Sequence, residues 1–316
     1  MQDKYKSNKT YTQEEDIACE AILKERLDLI KRVDEERGIE NFCMSWSGGK
    51  DSCVMSELFD MAIPNNKVPR VYADTGLDLN IMRDFIKYKM SKDNRIVRIP
   101  PTVKIKPMLE KYGYPYSSKK HSAMVELFRR KGLTEGVKNY IGMGEEKYNS
   151  ANSCPKRLMF QFDINNEFSK FSTFPISDKC CFYLKEKPVR EWKKKHNYKY
   201  NVIGIMADEG GRRKNAECFV YHRNKLTNFN PLAPLTKEWE DWFIQKYNVE
   251  ICDIYKPPYN AERTGCKGCP FNLHLRQSLD MLEQYFPNER KQCENLWKPV
   301  YDQYRLLRYR LLKKIK

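Results

Sequence analysis

Apolar positions recur at helical spacing between residues 13 and 38, at Ile17, Ala21, Ile22, Leu27, Ile30 and Val33, and Gly38 stands where such a helix would stop. The pattern then changes. Asn41-Phe42-Cys43-Met44-Ser45-Trp46 is a short apolar run of strand type, Ser47-Gly48-Gly49-Lys50-Asp51-Ser52 is a glycine-rich turn, and Val54 to Met61 returns to helical spacing. A second strand fits Val68 to Ala73 and ends in Asp74-Thr75-Gly76. A helix over Ile81 to Met90 and a third strand over Arg95 to Ile99 follow. This alternation predicts an α/β fold with a doubly wound, mostly parallel sheet.

From Pro100 to Ser177 the periodicity weakens and basic residues gather, in Ser117-Ser118-Lys119-Lys120-His121 and Arg129-Arg130-Lys131. A helical insertion over the nucleotide side is expected there. Tyr200 to Met206 predicts another strand, running into Ala207-Asp208-Glu209-Gly210-Gly211-Arg212-Arg213, and Trp239 to Tyr247 predicts a helix. Ser278 to Lys316 reads as helical and basic. The expected organisation is a lead-in over 1–40, an α/β domain over 41–272 with its insertion at about 100–177, and basic helices over 273–316.

Charge changes the picture more than length does. The 316 residues carry 58 Lys and Arg against 42 Asp and Glu, a formal charge of +16, which points to a polyanionic partner and away from a charge-neutral scaffold. No run of 18 apolar residues occurs and the first sixteen residues are polar, so a cytoplasmic protein with no membrane partner is expected. Eleven cysteines in such a chain suit thiols or metal ligands better than a disulfide framework.

The turn between the first strand and its helix carries the densest chemistry. Gly48 and Gly49 let backbone amides approach an anion, and the helix start adds its positive dipole end. Ser47 and Ser52 can donate to phosphate oxygens, Lys50 can neutralise charge, and Asp51 is placed to hold Mg2+. Neither GxxxxGK[ST] nor GxGxxG is present.

Ser47-Gly48-Gly49-Lys50-Asp51-Ser52 resembles the PP-loop of the adenine-nucleotide α-hydrolase superfamily. Asp74-Thr75-Gly76 resembles the second signature of its phosphoadenylyl-sulfate (PAPS) reductase branch. Gly204 to Glu209 with Arg212-Arg213, then Asn230-Pro231-Leu232, then Tyr255 with Gly265-Cys266-Lys267-Gly268-Cys269-Pro270 follow in that branch's order, so the resemblance spans roughly residues 40 to 272. It implies an adenine nucleotide bound through its phosphates by the loop and by Asp74, Thr75 and Gly76, with chemistry at the α-phosphate or its sulfate. Two departures favour ATP itself. No Glu-Cys-Gly-His-type segment supplies a reductase nucleophile near the end, where Cys293 is the last thiol, and the full loop is more like those of ATP-binding members such as RNA thiolases.

The adjacent Cys180 and Cys181, with the distant Cys266-x-x-Cys269 pair, resemble the four thiolate ligands of the [4Fe-4S] cluster in reductases that carry one. Four soft thiolates also suit tetrahedral Zn2+. Cys154 is a candidate fifth thiol, and the remaining six cysteines sit in apolar or helical contexts that packing explains. Lys119, Lys120, Arg157, Arg212 and Arg213 are candidate contacts to an anionic substrate, the arginines through bidentate pairing. The functional expectation is an ATP-binding enzyme that activates its substrate at the α-phosphate with pyrophosphate release, with Lys50, Asp51 and Arg212 as catalytic residues. It would act in sulfur transfer or thiolation with RNA, DNA or another anion as acceptor and a sulfur-donor protein as partner. The alternatives are an adenylyl-sulfate or PAPS reductase using an external thiol, and a non-catalytic nucleotide- or nucleic-acid-binding module.

Overall fold

A computed structural model of the protein describes residues 9–144, 153–162, 174–209 and 213–311. The first helix, α1 (Gln13–Arg37), starts in a capping box in which Glu15 N donates to Thr12 Oγ1 at 3.2 Å and Thr12 N donates to Glu15 Oε2 at 2.9 Å. Then come β1 (Phe42–Ser45), α2 (Lys50–Ala62), β2 (Arg70–Ala73), α3 (Asn80–Lys92) and β3 (Ile96–Ile99). Helices α4 (Ile105–Tyr112), α5 (Lys119–Lys131), α6 (Glu135–Ile141) and α7 (Lys179–Cys181) follow, and α7 runs through a π-helical turn, Phe182–Glu186, into α8 (Lys187–Lys195). Strand β4 (Tyr200–Ile203), the hairpin β5 (Phe219–His222) and β6 (Lys225–Phe229), and α9 (Lys237–Lys246), α10 (Leu275–Tyr285) and α11 (Pro287–Leu306) complete the order.

The six strands form one sheet in the order β3-β2-β1-β4-β6-β5, parallel throughout except for the antiparallel edge strand β5. The chain moves outward from β1 in one direction through β2 and β3, and the other half begins at β4 on the opposite side of β1. The strand order therefore reverses beside β1, where open α/β sheets bind ligands at their carboxyl ends. Period-two alternation gives the sheet two apolar faces. On one, Cys43, Val71 and Ile99 are covered by Val189 and Trp192 of α8. On the other, Phe42 meets Phe229, which in turn meets Phe59 of α2.

Two compact units emerge, Met1–Pro100 with Pro188–Thr264, and Pro101–Lys187 with Gly265–Lys316. This differs from the contiguous blocks read from the sequence: the insertion and the last helices form one body. The reason lies in buried side chains of α11, since the Tyr304 ring packs on Tyr116 at 4.9 Å and its hydroxyl accepts a hydrogen bond from Ser117 N at 2.6 Å. The helical stretch expected over 278–316 is formed by α10 and α11, divided at Phe286 because Pro287 starts a new helix. Helix α11 ends at Leu306, and Arg308 and Arg310 beyond it have positive φ.

Candidate functional site

The loop after β1 is built by mutual hydrogen bonds among its own serines and glycines. Ser52 Oγ donates to Gly49 O at 2.8 Å and accepts from Ser47 N at 3.2 Å, and Ser47 Oγ accepts from Gly49 N at 3.3 Å. Gly48 has a φ of 72°, and a Cβ there would lie 2.7 Å from Ile86 Cγ1. Gly49 caps α2 without a side chain, and a Cβ on it would meet the Tyr255 hydroxyl at 3.2 Å. That hydroxyl is 2.6 Å from Thr264 Oγ1. A glycine-capped helix start ringed by hydroxyls, at the point where the strand order reverses, has the backbone features that suit an anion.

Lys50 and Asp51 face partners that the loop's own residues did not disclose. The Lys50 ammonium lies 2.9 Å from Glu240 Oε2 and 3.1 Å from Asp241 Oδ1, both on α9. Glu240 is 1% exposed and, despite the ion pair, neither of its oxygens is in hydrogen-bonding geometry with a partner among the described residues. Burial pushes its carboxyl up to about 8, with the negative Asp51 adding to the shift and Lys50 opposing it. Lys50 itself is raised: burial lowers it, and the two acids more than offset this. Sequence reading missed Glu240 and Asp241. The available signal was a glutamate at i−3 and i−4 from Phe243 and Ile244, on the buried face of an apolar helix.

At the end of β2, Asp74 folds its own turn by accepting from Gly76 N at 2.8 Å, and Thr75 Oγ1 accepts from Leu77 N at 3.1 Å. Arg98 Nη2 reaches Asp74 Oδ2 at 2.7 Å. Burial raises this carboxyl, but the Gly76 amide and Arg98 outweigh it and hold it below the ordinary value. Arg213 is half-buried after the short 3-10 turn Ala207–Glu209. Arg212 and the side chain of Arg157 lie outside the described residues.

Cys180, Cys181, Cys266 and Cys269 all fall in the second unit, and no disulfide joins them. Cys180 feels the charges of the other three. Cys181 is lowered to about 6, chiefly by the Cys180 thiol and then by Lys119 and Lys185 against the effect of burial. Cys269 is pushed up to about 12 by burial, while the Phe271 amide donates toward its sulfur. Soft thiols that share charge, one of them already receiving a backbone N–H, fit a thiolate-bound metal centre in their chemistry. Among the described residues no three His, Cys, Asp or Glu side chains are close enough to grip a single ion. Lys119 pairs with Glu186 at 3.4 Å, and Lys120 lies 5.7 Å from the centre of the Tyr140 ring. Cys154 is 3.9 Å from His121 Nδ1, and burial holds its thiol up at about 12.

The sheet order and the loop after β1 define an α/β protein with a glycine-rich turn at the point where the strand order reverses. A family model for the phosphoadenosine phosphosulfate reductase domain matches residues 140–271. No curated protein matches. Among solved structures, the chain is similar to PAPS reductase from Candida auris in a phosphate complex, with 12% identity and a TM-score of 0.43, covering 82% of this chain and 98% of that one. It is also similar to the U34-tRNA thiolase NcsA from Methanococcus maripaludis with its [4Fe-4S] cluster, with 14% identity and a TM-score of 0.36, over 92% and 80% of the two chains. Yeast FAD synthetase (Fad1) in complex with FAD gives 13% identity and a TM-score of 0.42, over 94% and 85%.

Proposed function

We propose that the chain is an ATP-using PP-loop enzyme that presents the α-phosphorus of ATP to an acceptor and releases pyrophosphate, in a sulfur-transfer or thiolation reaction. One observation carries the reading: the glycine-capped start of α2, lined by Ser47 and Ser52, at the carboxyl end of β1. In this reading the loop amides and both hydroxyls hold the phosphates, Asp51 holds Mg2+, and Asp74, Thr75 and Gly76 border the nucleotide. Lys50 exchanges Glu240 and Asp241 for a phosphate oxygen. Catalysis is then orientation together with electrostatic stabilisation of the leaving pyrophosphate.

Arg212 and Arg213, with Lys119, Lys120 and Arg157, are proposed to meet an anionic acceptor, and the +16 charge favours RNA or DNA supplied with sulfur by a donor protein. Cys180, Cys181, Cys266 and Cys269 would hold a [4Fe-4S] cluster, or Zn2+ as the alternative. Bound there, the cluster would supply iron with affinity for sulfur. The deciding experiment is Mg-ATP binding and pyrophosphate release by anaerobically purified protein and its Asp51→Asn variant. The variant is expected to lose the magnesium-dependent part of binding, and a variant equal to wild type removes the role given to Asp51.

The family match over 140–271 favours a second reading, a PAPS or adenylyl-sulfate reductase that draws electrons from an external thiol. Sulfite released from an adenylyl sulfate, with no pyrophosphate from ATP, would select it. Nucleotide binding without any turnover would leave a binding module.

A further inference from the structure

The loop that carries Cys266 and Cys269 is held by its main-chain carbonyls from a single helix. Trp297, Tyr301 and Tyr304 stand at i, i+4 and i+7 on α11, and each is 1% exposed or less. Trp297 Nε1 donates to Lys267 O at 3.0 Å, the Tyr301 hydroxyl donates to Gly268 O, and the Tyr304 hydroxyl donates to Pro270 O at 3.1 Å. Arg310 Nη1 reaches the same Pro270 oxygen at 2.7 Å. Gly268 allows this approach, having a φ of 61°, and a Cβ on it would lie 2.5 Å from the Tyr301 hydroxyl and 2.8 Å from Cys293 Sγ.

A peptide group is planar and trans, so a carbonyl held on one side fixes the direction of the next residue's N–H on the other. Holding Gly268 O sets the Cys269 amide, which donates to Cys266 O at 3.1 Å and closes the turn between the two cysteines. Holding Pro270 O from Tyr304 and Arg310 sets the Phe271 amide, which is the one directed at the Cys269 sulfur. Buried Tyr and Trp polar groups need some acceptor. Here the acceptors of three side chains on one face of the helix all lie within one five-residue segment, and two of them fix an amide that meets Cys266 or Cys269.

We propose that Tyr301, Tyr304, Trp297 and Arg310 are positioning residues that aim the backbone of the Cys266–Pro270 loop so that Cys266 and Cys269 can ligate a metal centre. The proposal rests on the metal reading given above and adds the helix that prepares the site. It also gives the last helices of the chain a role other than a basic outer surface.

The experiment compares wild type with Tyr301→Phe and Tyr304→Phe, which keep the rings and remove single O–H donors. Half-buried Arg310→Gln is a third variant that removes a donor without touching the core. Each metal-free protein is checked for folding by circular dichroism, loaded anaerobically with iron and sulfide, and titrated separately with Co(II) against a chelator. The variants are expected to lose ten- to hundredfold in Co(II) affinity and to shift the thiolate-to-cobalt absorption band while still folded. Wild-type affinity and an unshifted band in the folded variants would overturn the proposal and leave the ladder as packing alone. A wild-type protein that takes up neither iron nor cobalt would overturn the metal reading beneath it, an outcome that the variants by themselves cannot produce.

Discussion

Gly48 is the residue at which the loop's geometry is least forgiving. Its φ of 72° disfavours any L side chain by about 1–2 kcal/mol, and a Cβ would press on Ile86. Gly48→Ala is expected to destabilise the protein by about 1–3 kcal/mol in urea unfolding and to weaken nucleotide binding further. Glu240 gives a pH-dependent test. Its carboxyl sits near 8 in the folded protein against an ordinary 4.5, so the folded state binds its proton more tightly. The stability this proton lends is complete below about 4.5 and is lost as pH rises toward 8. Glu240→Gln should therefore flatten the fall of Tm across that window and raise Tm at pH 9 relative to wild type by about a few degrees. A variant whose Tm tracks wild type at every pH would show that the group is not protonated in the fold. Both residues mark what sequence can disclose. Gly48 was visible because a glycine pair between strand and helix has few other uses, whereas the Glu240 contact to Lys50 spans two distant helices and leaves no local mark.

Among the elements, α2 is fixed to the sheet by a polar device. Arg70 of β2 is fully buried, and its guanidinium reaches Ser56 Oγ at 3.1 Å, Asp60 Oδ1 at 2.8 Å and Asn66 Oδ1 at 2.8 Å. Arg70→Met is expected to cost on the order of 3 kcal/mol in denaturant unfolding, since buried Asn66 and partly buried Ser56 and Asp60 lose a donor. A change below about 0.5 kcal/mol would show that apolar packing alone holds α2 in place. The β1-α2-β2-α3-β3 series was legible because each short parallel strand is mostly apolar, interrupted by only one polar residue, and each helix brings its own spacing. The β5–β6 hairpin was not. Its turn, Arg223-Asn224, adopts φ of 49° and 60° without a glycine, so the usual hairpin signal is missing. Helices after Ser278 were legible from their spacing, and their division at Pro287 was readable but was not placed.

For the molecule as a whole, the two units separate the two proposed ligands. The phosphate loop lies in the first and all four cysteines lie in the second. Hydrogen exchange should therefore slow around Ser47 to Val54 on adding Mg-ATP, and around Cys180–Glu186 and Cys266–Asn272 on loading metal. Protection by metal confined to the first unit would contradict the cysteine assignment. If the acceptor is RNA, the +16 charge requires its affinity to fall steeply with salt through counterion release. Salt-independent RNA binding would remove the nucleic-acid version of the acceptor. Whether the loop binds ATP through magnesium is decided by calorimetric titration of the anaerobic protein with Mg-ATP, beside the same titration of Asp51→Asn. One-to-one binding that depends on magnesium is expected of wild type, with that dependence lost in the variant; no binding at millimolar ATP, or identical magnesium-dependent binding by both proteins, would contradict the ATP-using role.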